Sequence, residues 1–261
     1  MGHKVHPKIY RIPTIYSWDS KWFAKGKSMP LFLEQEIGIR DFLTKKLKES
    51  LIDSISIERT PKDLTVYILS AKPGTIIGKG GQGLEDLRRH IERKILQQKL
   101  KVKINILEVR NPALSAQIVS QNAAGDIEKR FPFRRVMKQL IERVMSAGAQ
   151  GIKVCMSGRL NGVEIARTEK LSAGKMSLIT LRSDVDFAIS EAQTLYGKIG
   201  VKVWIYKGEA FGRRDKFAKK EDEVKPATAT KGRVSNDGTR HDSVESKKPA
   251  IKKEEKKTKS K

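Results

Sequence analysis

The chain has 261 residues, and its 54 Lys and Arg against 30 Asp and Glu leave a formal net charge of +24 with a pI near 10.1, so a polyanion is the expected partner. Hydrophobic residues at 38% together with 20 glycines suffice for packed cores and exclude global disorder, and the length favours two domains with tails left over. The one cysteine, Cys155, excludes an internal disulfide framework and a cysteine-rich zinc site, which fits a reducing, cytosolic setting.

The start, Met1-Gly2-His3-Lys4-Val5-His6-Pro7, lacks the apolar run of a secretory signal, and His6 stands where a myristoylation site needs Ser or Thr. No later segment approaches roughly 18 consecutive apolar residues, so no membrane span is expected. Residues 1–36 place Tyr10, Tyr16, Trp18, Trp22 and Phe23 among Lys and Pro with little periodicity. They read as an arm, packed either on a partner or on its own domain.

From Ile37 to Leu51, the apolar Ile37, Phe42, Leu43 and Leu47 approach helical spacing. Ile55 and Ile57, then Leu64, Val66 and Ile68, alternate with polar residues on either side of Pro61-Lys62-Asp63, the pattern of a hairpin. A short helix and a glycine loop follow, then a helix with Leu84, Leu87, Ile91 and Ile95 on one side, then a strand with Val102, Ile104 and Ile106 alternating.

Asn111-Pro112 marks a boundary and opens a second helical stretch to about Phe131. Pro132 either kinks this helix or starts another, in which Phe133, Val136, Met137, Leu140, Ile141 and Val144 form a core-facing stripe ended by Gly148. Strands are expected at Ile152 to Met156, Val163 to Thr168, Leu178 to Leu181 and Ile199 to Tyr206, with a helix near Phe187 to Tyr196. From Asp215 onward 15 basic and 9 acidic residues leave +6, against +18 for the body. The segment has one aromatic, Phe217, and too little apolar surface to fold. It reads as a disordered tail, either solubilising or in nonspecific nucleic-acid contact.

Three phosphate-binding patterns compete for the glycine loop. A Walker loop needs four residues between its first glycine and Gly-Lys, then Ser or Thr; Gly74 to Gly78-Lys79 has three, and Gly80 follows. Gly78, Gly80 and Gly83 satisfy the dinucleotide pattern literally, but the preceding strand ends about eight residues too early for that fold. The third pattern is the Gly-x-x-Gly loop of a KH domain, here Gly78-Lys79-Gly80-Gly81. It joins a short helix to a longer one, permits close approach of a nucleic-acid backbone, and adds a cation. The plain alternative is a helix-helix turn.

On the helix after Pro132, Arg134, Arg135 and Lys138 lie beside the apolar stripe, Arg134 and Lys138 being i, i+4 neighbours. This is either a face for nucleic acid or an ordinary solvated surface. Contact with roughly six phosphates would lower affinity by about three orders of magnitude between 50 and 200 mM salt. Catalysis finds no support: His3, His6, His90 and His241 form no constellation with a nucleophile, Cys155 reads as packing, and the acids lack ligand spacing. No enzyme activity, metal or cofactor is expected. Against an RNA-binding protein stand two rivals, a free-standing KH regulator or RNA chaperone and a dinucleotide-dependent enzyme.

From Met1 to Gly212 the chain resembles the bacterial S-three family of the small ribosomal subunit. The likeness rests on the start, on Ile76-Ile77-Gly78-Lys79-Gly80-Gly81, and on Phe133-Arg134-Arg135. It continues through Gly151-Ile152-Lys153-Val154, Ser157-Gly158-Arg159-Leu160, Glu164 to Glu169 and Tyr196-Gly197, and ends in Ile199 to Glu209. Tyr10-Arg11-Ile12-Pro13, Lys170-Leu171-Ser172 and the Lys-rich tail depart from the family's usual pattern.

The resemblance implies an α+β protein: an arm (1–36), a type II KH domain of order α-β-β-α-α-β (37–109), a second α+β domain with a mainly antiparallel sheet (110–212), and a disordered basic tail (213–261). It implies a cytoplasmic constituent of the small-subunit head that binds ribosomal RNA. It also implies S-ten and S-fourteen as neighbours, with S-two, S-four and S-five as further candidates. Arg134, Arg135 and Lys138 would line the mRNA entrance channel and support unwinding, with translocation supplying the work. Gly78, Lys79, Gly80 and Gly81 carry the KH-loop contacts. Lys4, His6, Arg159, Arg167 and Lys202 are further candidates for ribosomal RNA contact.

Overall fold

The structure, a computed structural model, describes residues 4–26, 28–97 and 100–212. The expectations for Met1 to His3 and for the tail 213–261 lie outside the described residues. The arm is ordered on its own chain. His6 caps a short helix, α1 (Pro7–Arg11), by accepting the Ile9 N–H at 3.4 Å. The buried Arg11 guanidinium donates to Pro7 O at 3.0 Å, Leu178 O at 2.8 Å and Thr180 O at 3.0 Å. Tyr16 donates to Asp184 at 2.6 Å, and Lys8 pairs with the buried Asp186 at 2.8 Å. Farther along, β1 (Ser20–Lys21) adds a short strand to the first sheet.

Helix α2 (Ser28–Lys46) begins nine residues before Ile37, and its inward row is Glu36, Ile39 and Leu43, continued by Leu47. Ile37, read as part of the apolar side, is exposed. Glu36 is tolerated inside because Ser20, Trp22 and Arg40 all donate to it. β2 (Ile52–Arg59) and β3 (Asp63–Ser70) form the expected hairpin, Ile57 opposite Val66. The chain then crosses through α3 (Pro73–Ile77), the glycine loop, α4 (Gln82–His90) and one wide π turn (Ile91–Ile95). The crossover sets β4 (Lys101–Glu108) parallel to β3, as a parallel pair requires. The sheet order is β1-β2-β3-β4, and Ile39, Leu43, Val66, Ile68, Leu87 and Ile91 fill the core between sheet and helices.

Ser115 caps α5 (Ala116–Glu128) and bridges to the first core, its hydroxyl donating to Asp53. A new helix, α6 (Phe133–Ser146), starts after Pro132, and its buried residues are Phe133, Val136, Met137, Leu140 and Val144. The second sheet is wholly antiparallel, in the order β6-β5-β8-β7. Its strands are β5 (Gly151–Gly158), β6 (Arg167–Gly174), β7 (Ser183–Thr194) and β8 (Gly197–Glu209). Helices α5 and α6 cover one face, closing a core on Ile152, Val154, Met156, Val201, Val203 and Ile205.

Three expected elements differ. The segment Phe187 to Tyr196 is not a helix: it belongs to β7 and the turn after it. Ser183 to Ala188 are buried on both faces, by α5 and by the arm, which erases the alternation that marks a strand. The strand expected at Val163 to Thr168 begins only at Arg167, and Leu178 to Leu181 is irregular chain whose carbonyls receive Arg11. No helix among the described residues is long and apolar enough to cross a membrane.

Candidate nucleic-acid interface

The glycine loop is shaped by backbone demands that only glycine meets cheaply. Gly78, Gly80 and Gly81 have φ of +71°, +60° and +80°, a region costly for residues with a Cβ. A Cβ on Gly83 would lie 2.7 Å from Ile76 O, so α3 and α4 approach closely only because that atom is missing. Gly80 and Gly81 have nothing within 4 Å of a Cβ position. Their backbone therefore borders open space on the side from which a ligand strand would come. Lys79 is exposed and makes no ion pair among the described residues. No side chain caps α4 at Gly81, so its first amides remain available as donors.

The charges behind the loop are partly spent. Arg88 pairs with Glu92 at 3.0 Å and Arg89 with Glu85 at 2.9 Å, while Arg93 and Lys94 are exposed and make no ion pair among the described residues. Glu92 also accepts the Val102 N–H at 3.1 Å, which ties the π turn to β4. Burial raises its pKa, but that hydrogen bond and Arg88 outweigh the effect and hold it below the ordinary value.

On α6 the three predicted cations are not equivalent. Arg134 donates from Nε and Nη2 to Glu169 at 3.3 and 3.2 Å, and Arg167 reaches the same carboxylate at 3.5 Å. Both guanidiniums lie near the Phe133 ring, 5.7 and 5.8 Å from its centroid. Arg135 and Lys138 are exposed and meet no acid among the described residues. In the free protein the strongest positive potential on this helix therefore belongs to Arg135 and Lys138.

The remaining candidates fall into two groups. Arg159 donates to Val163 O at 2.9 Å and lies 5.3 Å from the Tyr196 ring centroid. It borders the same region as Arg134 and Arg167, around Phe133. Lys202 is exposed on the sheet face away from the helices, where the register places it beside Cys155. Lys170 flanks Cys155 on the other side, and Lys153 lies 5.5 Å from the Trp204 ring on the same face. Lys4 is exposed, whereas His6 packs edge-on against Phe187 at 4.9 Å. Burial, then the nearby Lys8 charge, lowers the His6 pKa, so the ring is neutral near pH 7.

Sequence reasoning missed Lys153 and Lys170, whose strand alternation carried a usable signal, and Glu169, whose role depends on a helix 35 residues away. No group of three or more His, Cys, Asp or Glu among the described residues is placed to hold a metal.

Residues 38–114 match the KH domain family, and residues 123–205 match the family described as ribosomal protein S3, C-terminal domain. The chain is 50% identical over 216 residues to small ribosomal subunit protein uS3 of Endomicrobium trichonymphae, covering 83% of this chain and 92% of the relative. It is 47% identical over 222 residues to the uS3 of Clostridium botulinum strain Okra, covering 85% and 99%. Against the uS3 of Burkholderia cenocepacia it is 43% identical over 215 residues, covering 82% and 80%.

Proposed function

The chain belongs to the small ribosomal subunit protein uS3 family, and on that premise we propose that α6 lines the channel through which messenger RNA enters and grips the incoming strand. The family is structural and non-enzymatic, and the protein works in the cytoplasmic ribosome as an RNA-binding component of the translating small subunit. Its partners are small-subunit ribosomal RNA and other ribosomal proteins.

Arg135 and Lys138 carry the proposal: two exposed cations on one helical surface with no acid to neutralise them among the described residues. Arg134 joins them once RNA competes for Glu169. Such a surface holds a single strand by its phosphates, so each advance of the ribosome draws the strand past a cationic grip and pulls paired RNA apart. The Gly78 to Gly81 loop with Lys79 serves as a backbone contact for RNA. Lys4, His6, Arg159, Arg167 and Lys202 are assigned to ribosomal RNA in the same reading.

The segments 1–36, 37–109, 110–212 and 213–261 act as arm, KH domain, C-terminal domain and tail, in the head of the subunit. S-ten and S-fourteen are the proposed neighbours, with S-two, S-four and S-five farther out.

The test combines Arg134→Ala, Arg135→Ala and Lys138→Ala. Subunits carrying the triple variant are expected to assemble, while messengers with hairpins at the entering side are translated more slowly than unstructured ones. Equal rates on both would overturn the reading.

A further inference from the structure

At the start of α6 the surface sinks into a cavity of about 560 Å³ bordered by Phe131, Phe133, Tyr196, Arg130, Arg159 and Asn161. Its chemistry differs from that of the helix surface beside it. Phe133 is buried, whereas Phe131 and Tyr196 are 48% and 57% exposed. Two aromatic rings therefore remain in reach of solvent beside two guanidiniums.

The Tyr196 ring is held in place. It occupies the turn between β7 and β8, and Arg159 lies 5.3 Å from its centroid while donating to Val163 O at 2.9 Å. Gly162, at φ +78°, leaves room for it, since a Cβ there would come within 3.0 Å of Tyr196 Cε2. Arg130 reaches the rim from a left-handed backbone position at φ +66°. The acid on the rim, Glu128, accepts the Gln193 N–H at 2.9 Å.

We propose that this cavity receives one unpaired base of the messenger strand whose phosphates run along α6. The inference rests on the reading of α6 as a messenger contact, because Phe133 is both a wall of the cavity and the first residue of that helix. Aromatic faces accept any base by stacking, and guanidiniums serve both the ring and the flanking phosphates. A strand gripped only by phosphates can slide or re-pair; a base lodged beside Tyr196 is withheld from its partner.

The test uses the full chain and two labelled probes of equal length, a single-stranded oligouridylate and its abasic counterpart, in fluorescence anisotropy titrations. Tyr196→Ala is expected to weaken binding of the oligouridylate about tenfold and to leave the abasic probe unchanged, with Tyr196→Phe close to wild type. An equal effect on both probes, or on neither, overturns the proposal, the second result also being expected if the cavity seats a protein side chain. Arg135→Ala with Lys138→Ala should weaken both probes alike; failure of that effect counts against the reading of α6, whatever the cavity does. In assembled subunits, 4-thiouridine in the messenger is expected to crosslink to the β7–β8 turn, and crosslinking there by ribosomal RNA alone would overturn the messenger as occupant.

Discussion

Glu169 on β6 accepts two hydrogen bonds from Arg134 on α6, while its neighbours on that helix, Arg135 and Lys138, have no acid partner among the described residues. The face proposed to hold RNA thus carries an internal competitor for one of its three cations. Removing the competitor should strengthen the face.

Glu169→Gln is expected to raise affinity for single-stranded RNA and to steepen the dependence of log K on log salt by about 0.7, the increment for one added phosphate contact. The Arg134 side chain is largely exposed, so thermal stability should stay within about 0.5 kcal/mol of wild type. Anisotropy titrations over a salt series check this, and an unchanged slope would show that Arg134 is already engaged.

In the glycine loop the two helix-packing demands separate by position. Gly83→Ala forces a Cβ against the Ile76 carbonyl and should cost about 2–3 kcal/mol in urea unfolding. Gly80→Ala meets open space and has only its φ of +60° to contend with, a cost of about 1 kcal/mol. The reverse order would mean that the α3–α4 contact relaxes freely.

Glu36 makes arm docking acid-sensitive. Burial raises its pKa, but hydrogen bonds from Ser20, Trp22 and Arg40 and the Arg40 charge prevail, leaving it below the ordinary 4.5. A carboxyl with a depressed folded pKa stabilises fully above its unfolded value and loses that contribution as pH falls through the folded one. The Trp22 environment should therefore be constant above about pH 5 and change below 4.5. Tryptophan emission in a Trp18→Phe, Trp204→Phe background reads this, and adding Glu36→Gln should remove the acid step.

Arg11→Met strips hydrogen-bond donors from the carbonyls of Leu178 and Thr180. Two buried acceptors left unpaired are worth about 2–4 kcal/mol. Hydrogen exchange should show the loss first in the α1 region and in residues 177–182, before either core.

How far the sequence carried the fold depends on whether each pattern was local. The β3 alternation of Leu64, Val66 and Ile68, the α6 stripe and the positive-φ glycines are each enforced within a few residues, and each was legible. β7 was not. Its buried Asp184 and Asp186 look like surface acids in sequence, and they are accepted inside only because Tyr16, Lys8, Lys207 and the Ala116 N–H arrive from elsewhere. The interface divides the same way. Arg134, Arg135 and Lys138 share a visible helical spacing, but the neutralisation of Arg134 by Glu169 and the meeting of Tyr196 with Arg159 depend on tertiary packing that no spacing rule encodes.

Arg11 and its acceptors Ser177, Leu178 and Thr180 are separated by 166 to 169 residues. During synthesis at about 5–20 residues per second, that gap leaves the arm waiting about 10 to 30 s for its docking site to be made. Over that interval the first core can close, since its strands lie within residues 20–108, while Tyr16 and Arg11 stay solvated. A protein destined for ribosomes thus spends its own birth with its leading segment unattached, and docking of that segment is a late step that reports completion of β7.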